Sequence, residues 1–75
     1  MIKKIHIMFD RLDEFYGQPK DTCKKAIKKQ LGIKSIGDLN HEELSYLARY
    51  TDNILLENGI DIDEEYKQKH KTKEV

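Results

Sequence analysis

The chain has one cysteine, one proline, no tryptophan and no long apolar run in its 75 positions. A single cysteine excludes an internal disulfide, and a reducing cytoplasm is the simplest compartment for such a chain. No apolar stretch approaches the roughly 20 residues that cross a bilayer, and the first residues are too charged for a secretory signal. We therefore expect a small cytoplasmic domain that needs no membrane.

Sequence motifs that would indicate catalysis or metal binding are also lacking. The histidines, His6, His41 and His70, lie far apart, and none has a partner at a metal-ligand spacing such as i, i+4. No Ser/His/Asp or Cys/His order indicates a nucleophile, and the four glycines occur singly rather than in a phosphate-binding loop. We predict a protein that is not an enzyme and takes no cofactor, with Cys23 as a buried structural thiol.

The strongest helix signal lies over about residues 40–58. Asn40 is an N-cap residue type, and Glu43 can close a capping box with it. Apolar residues then recur at steps of three and four as far as Gly59. This glycine suits a left-handed C-terminal cap, with Ile60 as the apolar residue that folds back onto the helix.

The same periodicity predicts two earlier helices, over about 2–16 and 21–31. The first places one set of apolar side chains on a single arc: Ile2, Ile5, Met8, Phe9, Leu12, Phe15 and Tyr16. Residues 5–9 also resemble a short strand, but no second segment can pair with it, so a helix is preferred. The second helix begins at Asp21, an N-cap residue type, and its apolar face consists of Cys23, Ala26, Ile27 and Leu31.

We predict an all-α fold, a three-helix bundle over about 2–16, 21–31 and 40–58 with a short structured link. Residues 1–63 form the single predicted domain. Residues 64–75 are almost entirely polar or charged, and we interpret them as a frayed helix or as a charged, partly disordered tail.

The net charge is zero, but the charges are unevenly distributed. Residues 20–34 carry six lysines against one aspartate, a net charge of +5. Residues 35–66 carry one arginine against nine acidic side chains, a net charge of −8. This asymmetry indicates separate basic and acidic surfaces.

The sharpest feature is a set of lysines that we call the lysine face. Two adjacent i, i+4 pairs run along the second helix, and one further lysine extends the set at each end: Lys20, Lys24, Lys25, Lys28, Lys29 and Lys34. Like charges at this spacing destabilise a helix slightly, so helix stability does not explain the pattern. An anionic partner does, either nucleic-acid phosphate or an acidic peptide. The alternative is that these lysines only keep a small domain soluble.

The third helix carries candidate protein-interface residues. Tyr46 and Tyr50 lie one turn apart beside its apolar stripe, where they can stack on bases or anchor a partner. The alternative is that they cover the edge of the core with their hydroxyls in water. Leu56 lies off the apolar arc, as Ile7 does in the first helix, which leaves a dimer open. An acidic face that can imitate nucleic acid comprises Asp38, Glu42, Glu43, Asp52 and Glu57.

The central stretch resembles a known family. Leu31-Gly32-Ile33 followed by Ser35-Ile36-Gly37-Asp38-Leu39-Asn40-His41-Glu42-Glu43 is similar to the pattern LG(V/I)xSxxDLTxEE. That pattern occurs in GemA-like phage regulatory proteins and in C-terminal appendages of phage single-strand annealing proteins. The chain has Asn40 where threonine is usual. It also has Cys23-Lys24-Lys25 where the regulatory family often has a tyrosine-arginine pair.

The resemblance implies a phage or mobile-element protein that acts near DNA recombination, replication or regulation. Overall neutrality favours a protein-interaction adaptor or inhibitor of a host or phage DNA-processing or defence protein, because a dedicated DNA binder usually has a basic excess. The alternative is a module whose lysine face binds single- or double-stranded DNA directly. The sequence does not determine the oligomeric state.

Overall fold

The computed structural model describes residues 2–71, with side chains through Gln68. Its helices are α1 (Ile2–Tyr16), α2 (Thr22–Leu31), α3 (His41–Glu57) and α4 (Ile62–Lys71), and a 3-10 turn (Ile36–Asp38) links α2 to α3. The described part of the chain contains no strand, so the all-α prediction is confirmed and residues 5–9 are helical. The predicted helix count was wrong, because α4 adds a fourth helix.

The core forms around α1, which packs against both α2 and α3. Ile5, Met8, Phe9 and Leu12 are at most 1% exposed because their spacing places them on one side of the helix. Leu47 and Leu55 of α3 and Ile27 of α2 complete this core together with Ile36, Ile60 and Ile62. Phe15 and Tyr16 also lie on the predicted arc, but they are 45% and 49% exposed, beyond the last buried residue of α1.

The ends of α3 follow the predicted local chemistry. The Glu43 amide donates to Asn40 Oδ1 at 2.9 Å, and the Asn40 amide donates to Glu43 Oε1 at the same distance. This confirms the capping box. At the other end Gly59 has a φ of 76°, a left-handed conformation that favours glycine. The next amide, of Ile60, donates to the Leu55 carbonyl at 2.9 Å and brings the Ile60 side chain into the core, as predicted.

The start of α2 differs from the prediction that Asp21 is its N-cap. Asp21 has a left-handed φ of 69°, and its side chain makes no capping hydrogen bond. The cap is supplied instead by Asp13 of α1, which is only 4% exposed. Its Oδ1 accepts from the Cys23 amide at 2.8 Å, and its Oδ2 accepts from the Asp21 amide at 2.9 Å. One carboxylate therefore satisfies two amide donors at the start of α2 and fixes this helix to α1.

The fourth helix occupies most of the segment that the sequence predicts as a frayed helix or a tail, since residues 64–71 are helical. Ile62 is buried in its first turn. Arg11 of α1 donates to both carboxylate oxygens of Glu65, at 3.0 and 3.1 Å. A second ion pair, of 3.0 Å, joins Lys4 to Asp63. Residues 72–75 of the predicted tail lie outside the described residues.

Candidate binding surfaces

The lysine face lies on α2 and on the loops at its two ends. Ile27 is buried, and Cys23 and Leu31 pack beside it against the core. Lys25 and Lys29 point away from this stripe and are exposed. Lys24 and Lys28 are half-buried on the flank of the helix. Lys20 and Lys34 are exposed on the loops at its two ends. Ala26, predicted on the apolar face, is exposed because only the narrow stripe around Ile27 reaches the core.

No lysine of this face forms an ion pair with a carboxylate among residues 2–68, where the ion pairs involve Lys4 and Arg11. The helix dipole explains two of these lysines, since Lys28 and Lys29 lie in the last turn of α2, where positive charge stabilises a helix. It does not explain Lys24, because positive charge in a first turn is unfavourable. The face is therefore positive, accessible and uncompensated within the described chain.

Asp13 determines how this face is held on the bundle. Its two hydrogen bonds place a negative charge at the N-terminus of α2, where the helix dipole favours an anion. Beside it, the Cys23 thiol is half-buried. The pKa of Cys23 is raised to about 11, first by burial and then by the hydrogen bond and charge of Asp13. Cys23 is thus protonated at neutral pH, as a structural thiol would be, although it is less buried than predicted.

The predicted interface residues of α3 differ in how accessible they are. Tyr46 is 63% exposed, and Leu56 is 49% exposed. Tyr50 packs against the core, and its ring stacks on that of Tyr46 with the centroids 6.5 Å apart. Glu42 and Glu43 are both exposed, and one carboxylate oxygen of Glu43 accepts the Asn40 amide in the capping box. In this tyrosine pair the Tyr50 ring is held against the core, and the Tyr46 ring is exposed and can contact a partner.

A groove of about 700 Å³ between α1 and α4 is a feature that the sequence did not indicate. Ile7, 48% exposed, and Tyr66, 60% exposed, form its apolar part. The ion pairs of Arg11 and Lys4 with α4 also line it. Ile7 is therefore placed with α4, on a different surface from Leu56 of α3. The sequence analysis did not place α4 against α1, so it could not show that Tyr66 and Ile7 line the same groove.

Residues 2–68 contain no group of three or more histidine, cysteine or acidic side chains arranged to hold a metal ion. Within the same residues no helix has the length and apolar character needed to cross a bilayer. Comparison with protein-family models, with curated proteins and with solved structures gives no match. The candidate surfaces are therefore the lysine face, the Tyr46–Leu56 region and the α1–α4 groove.

Proposed function

We propose that the chain is a small accessory protein of a phage or another mobile element. It acts near DNA recombination, replication or regulation as a protein-interaction adaptor or inhibitor. Its lysine face binds an acidic segment of a host or phage DNA-processing or defence protein. The observation that carries this proposal is the set of six accessible lysines that have no carboxylate partner among residues 2–68.

The spacing of the lysines supports an acidic peptide as the partner. Lysines one helical turn apart, such as Lys25 and Lys29, are separated by about 6 Å along the helix axis. Alternate side chains of an extended peptide are separated by roughly 6.6 Å on one face. An extended segment with acidic residues at every second position therefore matches the lysine rows. The net charge of −8 in residues 35–66 also repels nucleic acid.

Direct binding of nucleic acid is the second candidate function. The two parallel lysine rows favour it, since phosphates attract an uncompensated strip of positive charge whatever the base sequence. The exposed ring of Tyr46 adds a surface on which a base of single-stranded DNA can stack. Residues 67–75 carry a further net charge of +3. These features make DNA the necessary competitor in any binding experiment.

A fluorescence-anisotropy titration of the full chain distinguishes these partners. The labelled probes are an aspartate-rich peptide, single-stranded DNA and duplex DNA, each at about 50 and about 200 mM salt. We expect saturable binding of the peptide that weakens at the higher salt, and weaker binding of either DNA. Tighter binding of duplex DNA, with a log–log salt slope of roughly −3.6 for four phosphate contacts, would transfer the function to nucleic acid. Absence of binding to all three probes at low salt would overturn both candidates.

The proposed mobile-element origin rests on the resemblance of roughly residues 2–58 to the phage regulatory proteins, whose most specific motif lies at residues 31–43. The structure gives this stretch a coherent local role, since it comprises the end of α2, the 3-10 turn and the capping box of α3. The genes that flank this one test the origin. Neighbouring phage recombination or replication genes would support it, whereas a conserved setting among housekeeping genes would count against it.

A further inference from the structure

The charge distribution makes copies of this chain complementary to one another. Residues 20–34, which include α2, carry +5, while α3 carries four acidic side chains against Arg49, a net charge of −3, and the whole chain is neutral. Neutrality removes the long-range repulsion that keeps highly charged proteins apart. Within residues 2–68 no lysine of the lysine face forms an ion pair with an acidic side chain of its own chain.

The acidic surface of α3 also has apolar groups that can anchor a contact. Tyr46 and Leu56 are exposed, and the exposed carboxylates of Glu42 and Glu57 lie on the same outward half of the helix. Aromatic residues are enriched at the energetic centres of interfaces. The alkyl stems of lysines can cover an aromatic ring, and their ammonium groups are attracted to its face. A lysine-rich helix is therefore a chemical match for this surface.

We propose that copies of the chain associate head to tail, with the acidic face of α3 in one copy on the lysine face of the next. Because the two faces differ, the contact is heterologous, and it extends into chains of copies or closes into a ring. The contact uses the same lysines as the proposed acidic partner, so that partner would disperse the assembly. The inference does not depend on the proposed function, since the second copy supplies both faces.

Sedimentation velocity over a range of protein concentrations tests the proposal. At about 50 mM salt we expect the average mass to rise with concentration above the 8.9 kDa of one chain. At about 1 M salt, where the Debye length is about 3 Å, we expect the monomer alone. A monomer under all conditions would overturn the proposal. A mass increase that persists at high salt would also overturn it, because that behaviour indicates an apolar contact such as the α1–α4 groove.

Two double variants identify the faces. Lys25→Glu with Lys29→Glu lowers the net charge of residues 20–34 from +5 to +1, and Glu42→Lys with Glu57→Lys makes the net charge of α3 positive, so each variant alone is expected to stay monomeric. An equal mixture of the two is expected to form pairs at low salt, because the unchanged acidic α3 of the first variant meets the unchanged lysine face of the second.

The control carries Lys3→Glu with Lys67→Glu, two exposed lysines outside the lysine face, and has the same net charge as the α2 variant. It should associate like the wild type. Failure of the mixture, or equal loss of association in the control, would overturn the assignment of faces. Peptide binding by a chain that stays monomeric would overturn only this inference and leave the proposed function standing.

Discussion

Replacing Phe9 with alanine is expected to lower the free energy of unfolding by about 3–5 kcal/mol. The Phe9 ring is 1% exposed and lies in the α1 surface that both α2 and α3 cover. Its removal leaves a cavity that the surrounding core can fill only in part. A domain of this length has a total stability of roughly 4–11 kcal/mol, so the variant should be close to unfolding. Urea denaturation followed by far-ultraviolet circular dichroism measures the effect.

The matched control for this experiment is Phe15→Ala in the same helix. The sequence pattern places Phe9 and Phe15 on one apolar arc, but Phe15 is 45% exposed and contacts the ring of Tyr16 at the surface. Its loss should cost no more than about 1 kcal/mol. Equal effects of the two substitutions, or a small effect at Phe9, would contradict the core described for α1.

Replacing Asp13 with alanine is expected to have the second largest effect, a loss of about 2–3 kcal/mol. The substitution removes the acceptors of the Asp21 and Cys23 amides, and these part-buried donors have no other carboxylate oxygen in place. It also removes the negative charge at the start of α2. For a domain of this size the midpoint of thermal unfolding should fall by roughly 10–20 °C. Asp13→Asn keeps one acceptor oxygen and should lose about half as much.

Substitution of Asp21 distinguishes a cap supplied by Asp13 from the Asp21 cap that the sequence predicts. If Asp21 capped α2, its loss would be the damaging one. The structure shows no bond from its side chain and a left-handed φ of 69°, which glycine adopts without strain. We therefore expect Asp21→Gly to leave stability unchanged or to raise it by up to about 1 kcal/mol, because relief of the left-handed strain offsets the greater freedom of glycine in the unfolded chain. A larger loss for Asp21→Gly than for Asp13→Ala would contradict the cap from α1.

Features that depend on neighbouring residues were predictable from the sequence. The capping box of Asn40 and Glu43 spans four positions, and the Gly59 cap depends on the adjacent Ile60, so both are local properties. The apolar period also gives the bounds of α1 correctly, since one unbroken helix repeat runs to Gly17. The period does not show where the core ends. It therefore placed Phe15 on the apolar arc but did not predict that this side chain is exposed.

Features that depend on contacts between distant residues were not predictable. Asp13 caps α2 across eight and ten positions, whereas the usual search for an N-cap examines only the residue before the helix. The fourth helix is held by Ile62 and by ion pairs of Asp63 and Glu65 with α1. Composition alone suggests that such a charged segment is a tail, because the partners of Asp63 and Glu65 lie more than fifty positions away in the sequence.

The lysine face was predictable in its residues but not in its details. Spacing alone gave the two rows, while the structure shows that Lys25 and Lys29 are exposed and that Lys24 and Lys28 are half-buried on the flank. This difference determines which lysines can be reversed in charge without disturbing the fold. It also makes Lys25 and Lys29 the most informative pair for testing function.

The most direct test of the proposed function is the affinity of the Lys25→Glu, Lys29→Glu variant for the labelled aspartate-rich peptide at low salt. We predict a loss of affinity of at least about tenfold, because two attractive charges become repulsive. The Lys3→Glu, Lys67→Glu control has the same net charge and should bind nearly as the wild type does, with the same helical spectrum for all three proteins. Equal affinities of the two variants would contradict the lysine face as the binding site.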